Sequence, residues 1–197
     1  MAHEVIELNC PGCGARVSTG QQECDWCHKP IIITTFNSVY SMPMPEVNKY
    51  AGAYRKALGE HPESNELNKS VAMCYLKLKL YDKALAAFET AIEDNFDDSE
   101  TYFYAAVCLL KGKKAFLAQR SDINKCIEYI DAANMIEPRG IYYYFLAYIK
   151  YDFFERKSLN SSPNYRQCLG TASQFGVSGH DIGMLFDILG VAKPNGF

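Results

Sequence analysis

The 197-residue sequence has no apolar run close to the roughly 18 to 20 residues that a membrane-spanning helix needs. Its opening, MAHEVIELNC, lacks the basic segment and apolar stretch of a secretory signal, so we expect no such signal. Basic residues are not in excess, since the sequence has 20 Lys and Arg and 23 Asp and Glu. This balance disfavours sequence-independent binding of nucleic acid, which depends on clustered positive charge.

Motifs of known catalytic chemistry are also missing from the sequence. There is no glycine-rich phosphate loop of recognised spacing and no nucleophile motif. The histidines stand singly along the chain, at His3, His28, His61 and His180. We therefore expect a protein that is not an enzyme.

Eight cysteines are present, and they fall into two groups. Four form two Cys-x-x-Cys pairs: Cys10, Cys13, Cys24 and Cys27. The other four stand singly in segments of helical pattern: Cys74, Cys108, Cys126 and Cys168. This distribution is typical of a reducing compartment, with metal-bound pairs and free thiols rather than a disulfide framework. We expect a cytoplasmic location.

The two cysteine pairs are separated by ten residues, 14–23. Each pair can form a tight turn that directs two sulfur atoms at one tetrahedral centre, with zinc–sulfur distances of about 2.3 Å. Gly12 and Gly14 can adopt positive φ around the first turn. The alternating segments 4–8 and 31–36 predict short strands that flank the turns. The sequence therefore predicts one structural Zn²⁺ bound by all four cysteines.

The strings CPGCGARV and CDWCHKPI resemble the short zinc-ribbon module common at the N-termini of bacterial proteins, whose pattern is CPxCGA…CxxCGKxL. The resemblance covers about residues 8–32 and implies a bacterial zinc ribbon with a closed four-thiolate site. His28 stands where the family has glycine. This difference keeps the four ligands but leaves the conformation of the second turn open.

Other interpretations of the cysteines remain open. CDWCH formally matches a haem-attachment string, but that use would require export and would leave the first pair without a role. A zinc-thiolate redox sensor is an alternative because bound thiolates can be oxidised. Nucleic-acid binding is another, since Trp26 is expected to be exposed and could stack on a base. The module is acidic, with Glu4, Glu7, Glu23 and Asp25 against Arg16 and Lys29, so docking to protein is favoured.

From about residue 45 the apolar residues recur at three- and four-residue spacing, which predicts helices. Residues 65–96 resemble a tetratricopeptide (TPR) repeat. Six of its eight signature positions match: Val71, Ala72, Tyr75, Ala84, Phe88 and Ala91. At the other two positions, Asn68 and Phe96 replace the large residue and the proline.

Two weaker repeats follow this one. In the second, which begins near Ser99, residues 112–120 form an insertion that we expect to extend the first helix by two turns before Ser121 caps the next. In the third, which begins near Ile141, the second helix is expected to start at Ser162-Pro163. A C-terminal capping helix is predicted over residues 181–189, with Ser178 or Gly179 near its start.

The resemblance implies an all-α, right-handed helical repeat fold, a TPR-like solenoid, behind a small β zinc ribbon. The predicted boundaries are 1–36 for the ribbon, 37–44 for a linker and 45–197 for the repeats with their capping helix. TPR groove positions map onto Met73, Phe103, Val107, Tyr142, Phe145 and Ile149. Such an apolar groove suits a protein or peptide partner. It could equally be filled by the chain's own C-terminal helix or ribbon, or by a second copy in a homo-oligomer.

A basic group in the insertion is the candidate site for an anionic partner. It consists of Lys111, Lys113, Lys114 and Arg120. The simpler interpretation is a solvated face. The leading hypothesis is a non-enzymatic adaptor or scaffold for protein–protein interaction. The alternatives are a nucleic-acid-binding accessory factor that uses the ribbon and residues 111–125, and the redox sensor.

Overall fold

A computed structural model describes residues 5–93, 95–195 and 197. These residues form a mostly helical protein with a small two-stranded sheet near the N-terminus. The chain divides into two compact units, residues 1–96 and 97–197. Within the described residues, no helix has both the length and the apolar character to cross a membrane. Glu4, which begins the predicted strand 4–8, lies outside the described part.

The N-terminal module, here described residues 5–35, contains one β-hairpin. Strand β1 (Glu7–Asn9) pairs antiparallel with strand β2 (Arg16–Ser18), and Leu8 lies opposite Val17. Both of these side chains are buried while their neighbours along the strands are more exposed. The first predicted strand therefore corresponds in part to β1, which ends one residue later.

The second predicted strand, residues 31–36, is wrong. Ile31 and Ile33 are buried, as the alternation predicts, but the segment pairs with no strand. Ile31 N–H donates to the Gln22 carbonyl, and the other backbone groups of Ile31 and Ile33 bond to helix side chains. The Tyr54 hydroxyl donates to the Ile31 carbonyl at 2.8 Å, and Ser70 Oγ both accepts from Ile33 N–H and donates to its carbonyl. Because side chains satisfy these polar groups, no partner strand is needed.

The helices of the first unit are α1 (Phe36–Tyr40), α2 (Met44–Leu58), α3 (Asn65–Lys77) and α4 (Tyr81–Glu93). Ser64 begins α3 by accepting a hydrogen bond from Leu67 N–H. Helix α3 packs against both α2 and α4. It also contacts α1, so α3 forms the centre of this unit.

The helices of the second unit are α5 (Ser99–Leu109), α6 (Arg120–Ile136), α7 (Gly140–Ile149), α8 (Tyr165–Gln174) and α9 (Gly179–Leu189). Helix α7 continues into a π-helical turn, Lys150–Phe154. Consecutive helices pack as pairs, α5 with α6 and α7 with α8. Helix α9 contacts both α5 and α7. The predicted start of α9 is confirmed, since Ser178 Oγ accepts from Asp181 N–H at 3.0 Å.

The predicted two-turn extension of α5 through the insertion is wrong. Helix α5 ends at Leu109, because Lys111 and Gly112 adopt left-handed φ values of 50° and 72°. A 3₁₀ turn, Ala115–Leu117, follows and is held by the second unit's own side chains. Ala115 N–H donates to the Tyr148 hydroxyl at 3.3 Å, and the next N–H donates to a carboxylate oxygen of Asp152 at 2.8 Å.

Two predicted helix caps are also wrong. Gln119 precedes α6, so Ser121 lies inside that helix. Asn164 caps α8, two residues after the predicted start at Ser162-Pro163. Its side chain accepts from Gln167 N–H at 3.0 Å, and Gln167 Oε1 accepts from Asn164 N–H at 2.9 Å. This reciprocal capping box satisfies two N–H groups that a helix start otherwise leaves unpaired.

Candidate metal centre

The first cysteine turn, residues 10–15, folds back on its own backbone. Cys10 N–H donates to the Ala15 carbonyl at 2.7 Å, and Gly14 N–H donates to the Cys10 carbonyl at 2.9 Å. Gly14 has a φ of 84°, which glycine adopts without a steric penalty. The turn therefore places Cys10 and Cys13 on the same side of a rigid loop.

The second cysteine turn, residues 24–29, repeats this geometry. Cys24 N–H donates to the Lys29 carbonyl at 2.9 Å, and His28 N–H donates to the Cys24 carbonyl at 2.8 Å. His28 occupies the position that Gly14 has in the first turn, and its φ of 55° is also left-handed. The sequence left the conformation of the second turn open. At His28 the backbone adopts the left-handed conformation that glycine favours.

The two turns bring the four sulfur atoms together, all within 4.8 Å of one another. Cys10 Sγ lies 3.6 Å from Cys27 Sγ, and Cys13 Sγ lies 3.7 Å from Cys24 Sγ. Tetrahedral zinc with bonds of about 2.3 Å has its sulfur ligands about 3.8 Å apart. The cysteines are free thiols rather than disulfides, so the cluster can hold a metal ion.

Neighbouring groups push the thiol pKa values in opposite directions. The backbone N–H of Trp26, helped by that of Cys27 and by two neighbouring thiols, lowers the pKa of Cys24 to about 7. At Cys27 the N–H of Lys29 also favours the thiolate, but burial and the three other cysteines raise the pKa to about 12. Hydrogen bonds among the sulfur atoms therefore favour the charged form of Cys24 and the neutral form of Cys27, whereas a bound divalent ion would favour the thiolate form of every ligand.

Gly12 allows the two turns to approach each other closely. A Cβ atom at this position would lie 2.9 Å from Lys29 Cδ and 3.1 Å from Cys27 Sγ. The second of these distances matters more, because a metal ligand cannot move aside as a lysine side chain can. Packing thus favours glycine at position 12, whereas at position 14 glycine suits the positive φ.

The N-terminal module is fastened to α2 by side chains that the sequence analysis did not single out. The Tyr50 hydroxyl donates to the Pro30 carbonyl at 3.0 Å, one residue before the carbonyl that Tyr54 holds. Lys29, inside the second cysteine turn, forms an ion pair with Glu46. The sequence contained one signal for this contact: Tyr50 and Tyr54 lie one helical turn apart and face the segment that begins at Pro30.

Trp26 lies at the outer tip of the second turn, with 78% of its surface exposed. The prediction of an exposed tryptophan is confirmed. Glu23 and Asp25 beside it are exposed as well. The turn therefore presents a large aromatic ring with acidic neighbours, away from the contacts that fasten the module to α2.

The six predicted groove residues are all buried: Met73, Phe103, Val107, Tyr142, Phe145 and Ile149. In the second unit, the Phe103 ring packs at 4.6 Å from Tyr142 and at 5.8 Å from Phe145. Phe186 of α9 packs on Tyr148 of α7 at 5.3 Å. Helix α9 therefore packs on α7 and α5, the helices that carry five of these six positions.

The predicted basic group remains at the surface. Its members Lys111, Lys113, Lys114 and Arg120 are exposed. The fold adds Arg156 and Lys157, whose cations lie 4.7 Å and 5.0 Å from the ring of Phe116 in the loop. These two residues were not predicted, because the contact depends on the path of the insertion.

Comparison with protein-family models finds no match to the chain, and comparison with curated proteins finds no similar sequence.

Proposed function

We propose that this chain is a non-enzymatic, cytoplasmic adaptor that binds a protein partner. In this proposal the four clustered cysteines bind one structural Zn²⁺, and the helix pairs are TPR-like repeats of a solenoid. Thiolate ligands at tetrahedral spacing support zinc, and a full set of four leaves no open coordination position for catalysis. The four remaining cysteines are buried and form no disulfide, which supports a reducing compartment.

The observation that carries the proposal is the exposure of Trp26. Tryptophan buries more apolar area than other side chains and is enriched among the residues that dominate binding energy at interfaces. Here it stands on a turn whose backbone is fixed by hydrogen bonds and by the cysteine cluster. A backbone that is fixed before binding loses little conformational entropy in a complex.

The surroundings of Trp26 indicate the chemistry of the partner. Glu23 and Asp25 flank the ring, and both are exposed. A partner surface with an apolar pocket rimmed by Lys or Arg would complement this arrangement. A phosphate backbone would be repelled by the same carboxylates, which disfavours base stacking as the role of Trp26.

The experiment is quantitative binding of partners captured from the native cell, with Trp26→Ala compared against Met135→Ala. Met135 is 87% exposed on α6, so its truncation also removes apolar surface without touching the core. Loss of a hot-spot tryptophan should weaken the complex by about 2 kcal/mol or more. We expect Trp26→Ala to lose a partner that Met135→Ala retains, while both keep their metal. Full retention of every partner by Trp26→Ala would contradict the proposal.

A second candidate, nucleic-acid binding, is favoured by one observation. The fold places Lys157 against the loop that carries Lys113 and Lys114, which adds positive charge beside that loop. Arg156 lies there too, but it is paired with Asp152. Binding through this surface should weaken steeply with salt and be lost in the Lys113→Glu, Lys114→Glu double variant. Absence of DNA and RNA binding at about 50 mM salt would exclude it.

A further inference from the structure

The second unit contains a cavity of about 220 Å³ between α6, α7 and α8. At about 30 Å³ for each water molecule in the liquid, this volume corresponds to roughly seven waters. Side chains of both charges, several hydroxyls and several apolar groups line it: Ile127, Asp131, Tyr143, Leu146, Lys150, Ser162, Pro163, Cys168 and Thr171. The mixture is that of a small-molecule pocket, in which apolar walls surround a few polar groups.

Lys150 is the most unusual residue of the lining. Only 7% of its surface is exposed, yet within the described residues its ammonium group has no hydrogen bond and no ion pair. Its ammonium nitrogen lies 4.9 Å from the centre of the Phe154 ring. Lys150 lines the cavity, so an anionic group bound there would supply the counter-charge that this ammonium group lacks.

The backbone at Lys150 is also unusual. The π-helical turn begins at this residue, directly after α7. Such turns are rare and frequently occur at functional sites. The irregular backbone and the unpaired cation therefore coincide at one edge of the cavity.

Asp131 supplies the opposite charge to the same cavity. Its side chain is exposed to solvent and forms no ion pair with Lys150 among the described residues. The two charges still influence each other, because desolvation raises the pKa of Asp131 and the lysine opposes that shift. Asn134 lies on the same face of α6, three residues further on, and both polar atoms of its amide are buried without a partner. Lys150 and Asp131 therefore line the same cavity without forming an ion pair.

We propose that this cavity binds a small zwitterion of the α-amino acid class. Its carboxylate would pair with Lys150 and its ammonium group with Asp131. Ile127, Leu146 and Pro163 would contact an aliphatic side chain. This inference is independent of the adaptor proposal, because the cavity lies wholly in the second unit and uses none of the cysteine cluster or Trp26.

The cavity is suited to binding rather than to covalent chemistry. Cys168 is its one thiol, and burial raises the pKa of that group to about 11. The thiol is therefore neutral near pH 7 and a poor nucleophile. No bond needs to form or break for the ligand to be held.

Isothermal titration calorimetry of the full chain tests the proposal with five probes. L-alanine, L-leucine and L-phenylalanine vary the side chain, 4-methyl-2-oxopentanoate lacks the ammonium group, and 3-methylbutylamine lacks the carboxylate. We expect leucine to bind and each truncated probe to bind at least about tenfold more weakly. Absence of binding by all three amino acids at about 10 mM would overturn the proposal, since the cavity would then hold water only.

Variants test the roles of the two charges. Lys150→Met keeps the length of the buried chain and removes its charge, and Asp131→Asn keeps the shape of the carboxylate. Each should weaken leucine binding at least about tenfold, whereas Lys113→Met, at an exposed lysine outside the cavity, should leave it unchanged. Unchanged binding in both cavity variants would overturn the proposal. If Lys150→Met does not fold, the comparison of leucine with 3-methylbutylamine, which lacks the carboxylate, still decides the role of the cation.

Discussion

Replacing Tyr54 with phenylalanine removes a single oxygen atom from the contact between the N-terminal module and α2. That oxygen donates a hydrogen bond of 2.8 Å to the carbonyl of Ile31, and both residues have no exposed surface. The aromatic ring remains, so the packing around position 54 changes little. The variant therefore isolates the hydrogen bond that helps to hold the module in place.

The expected loss of stability in Tyr54→Phe comes from the Ile31 carbonyl, which loses its hydrogen-bond donor. A buried acceptor without its partner costs about 1–3 kcal/mol, and we expect about 2 kcal/mol in the free energy of unfolding. With a urea dependence of about 2 kcal/mol per molar, the midpoint of unfolding falls by about 1 M. Burial raises the pKa of Tyr54 well above its usual value, so the hydroxyl keeps its proton and the difference should be constant through neutral pH.

Urea unfolding of the metal-loaded protein measures this difference. Trp26 is the one tryptophan of the sequence, so its fluorescence reports on the N-terminal module, while circular dichroism reports on the helices. Tyr151→Phe is the matched control. It removes the same atom from a half-buried tyrosine whose hydroxyl makes no hydrogen bond within the described residues, and it should change stability by less than about 0.5 kcal/mol. An equally small change in Tyr54→Phe would refute the proposed anchoring.

Two further predictions concern the cysteine turns. In Gly12→Ala the new methyl group lies 3.1 Å from Cys27 Sγ, so we expect metal loss to a chelator to accelerate by about tenfold or more. In Gly20→Ala the new methyl group makes only ordinary van der Waals contacts, so the metal should be lost as slowly as from the unchanged chain. Equal rates of metal loss from the two variants would refute the close-approach argument. His28→Gly relieves a left-handed φ of 55° and should raise stability by about 0.5–1 kcal/mol in urea unfolding. A loss of stability would show that the imidazole makes contacts that outweigh the strain.

The cysteine cluster could be predicted from the sequence because its geometry is local. Two Cys-x-x-Cys turns each fix two sulfur atoms through hydrogen bonds within six residues, so little depends on the rest of the fold. The start of α9 was predictable for the same reason, since Ser178 caps it through a contact three residues away. Because these interactions are short in range, the spacing of residues in the sequence is enough to predict them.

The errors come from segments whose polar groups are satisfied by distant residues. Residues 31–36 show strand-like alternation, but Tyr54 and Ser70 supply the hydrogen bonds that a strand would otherwise need. The insertion leaves α5 because Tyr148 and Asp152, far along the chain, bind its backbone. Neither set of partners follows from local propensity or periodicity.

The groove positions illustrate a different limit. Periodicity identifies Phe103 and Phe145 as apolar helix positions, but it does not say whether a partner or the same chain covers them. Both are buried, and α9 packs on the helices that carry them. The cavity beside Lys150 was missed because its lining comes from three helices and the turn before the last of them.

Metal analysis of the purified chain tests the central claim most directly. Native mass spectrometry, with elemental analysis of the same sample, should find one zinc ion per chain. Cys24→Ala should abolish that zinc, whereas Cys74→Ala, at a buried thiol outside the cluster, should retain it. A chain that carries no zinc, or a Cys24→Ala variant that binds zinc as tightly as the unchanged protein, would contradict the account.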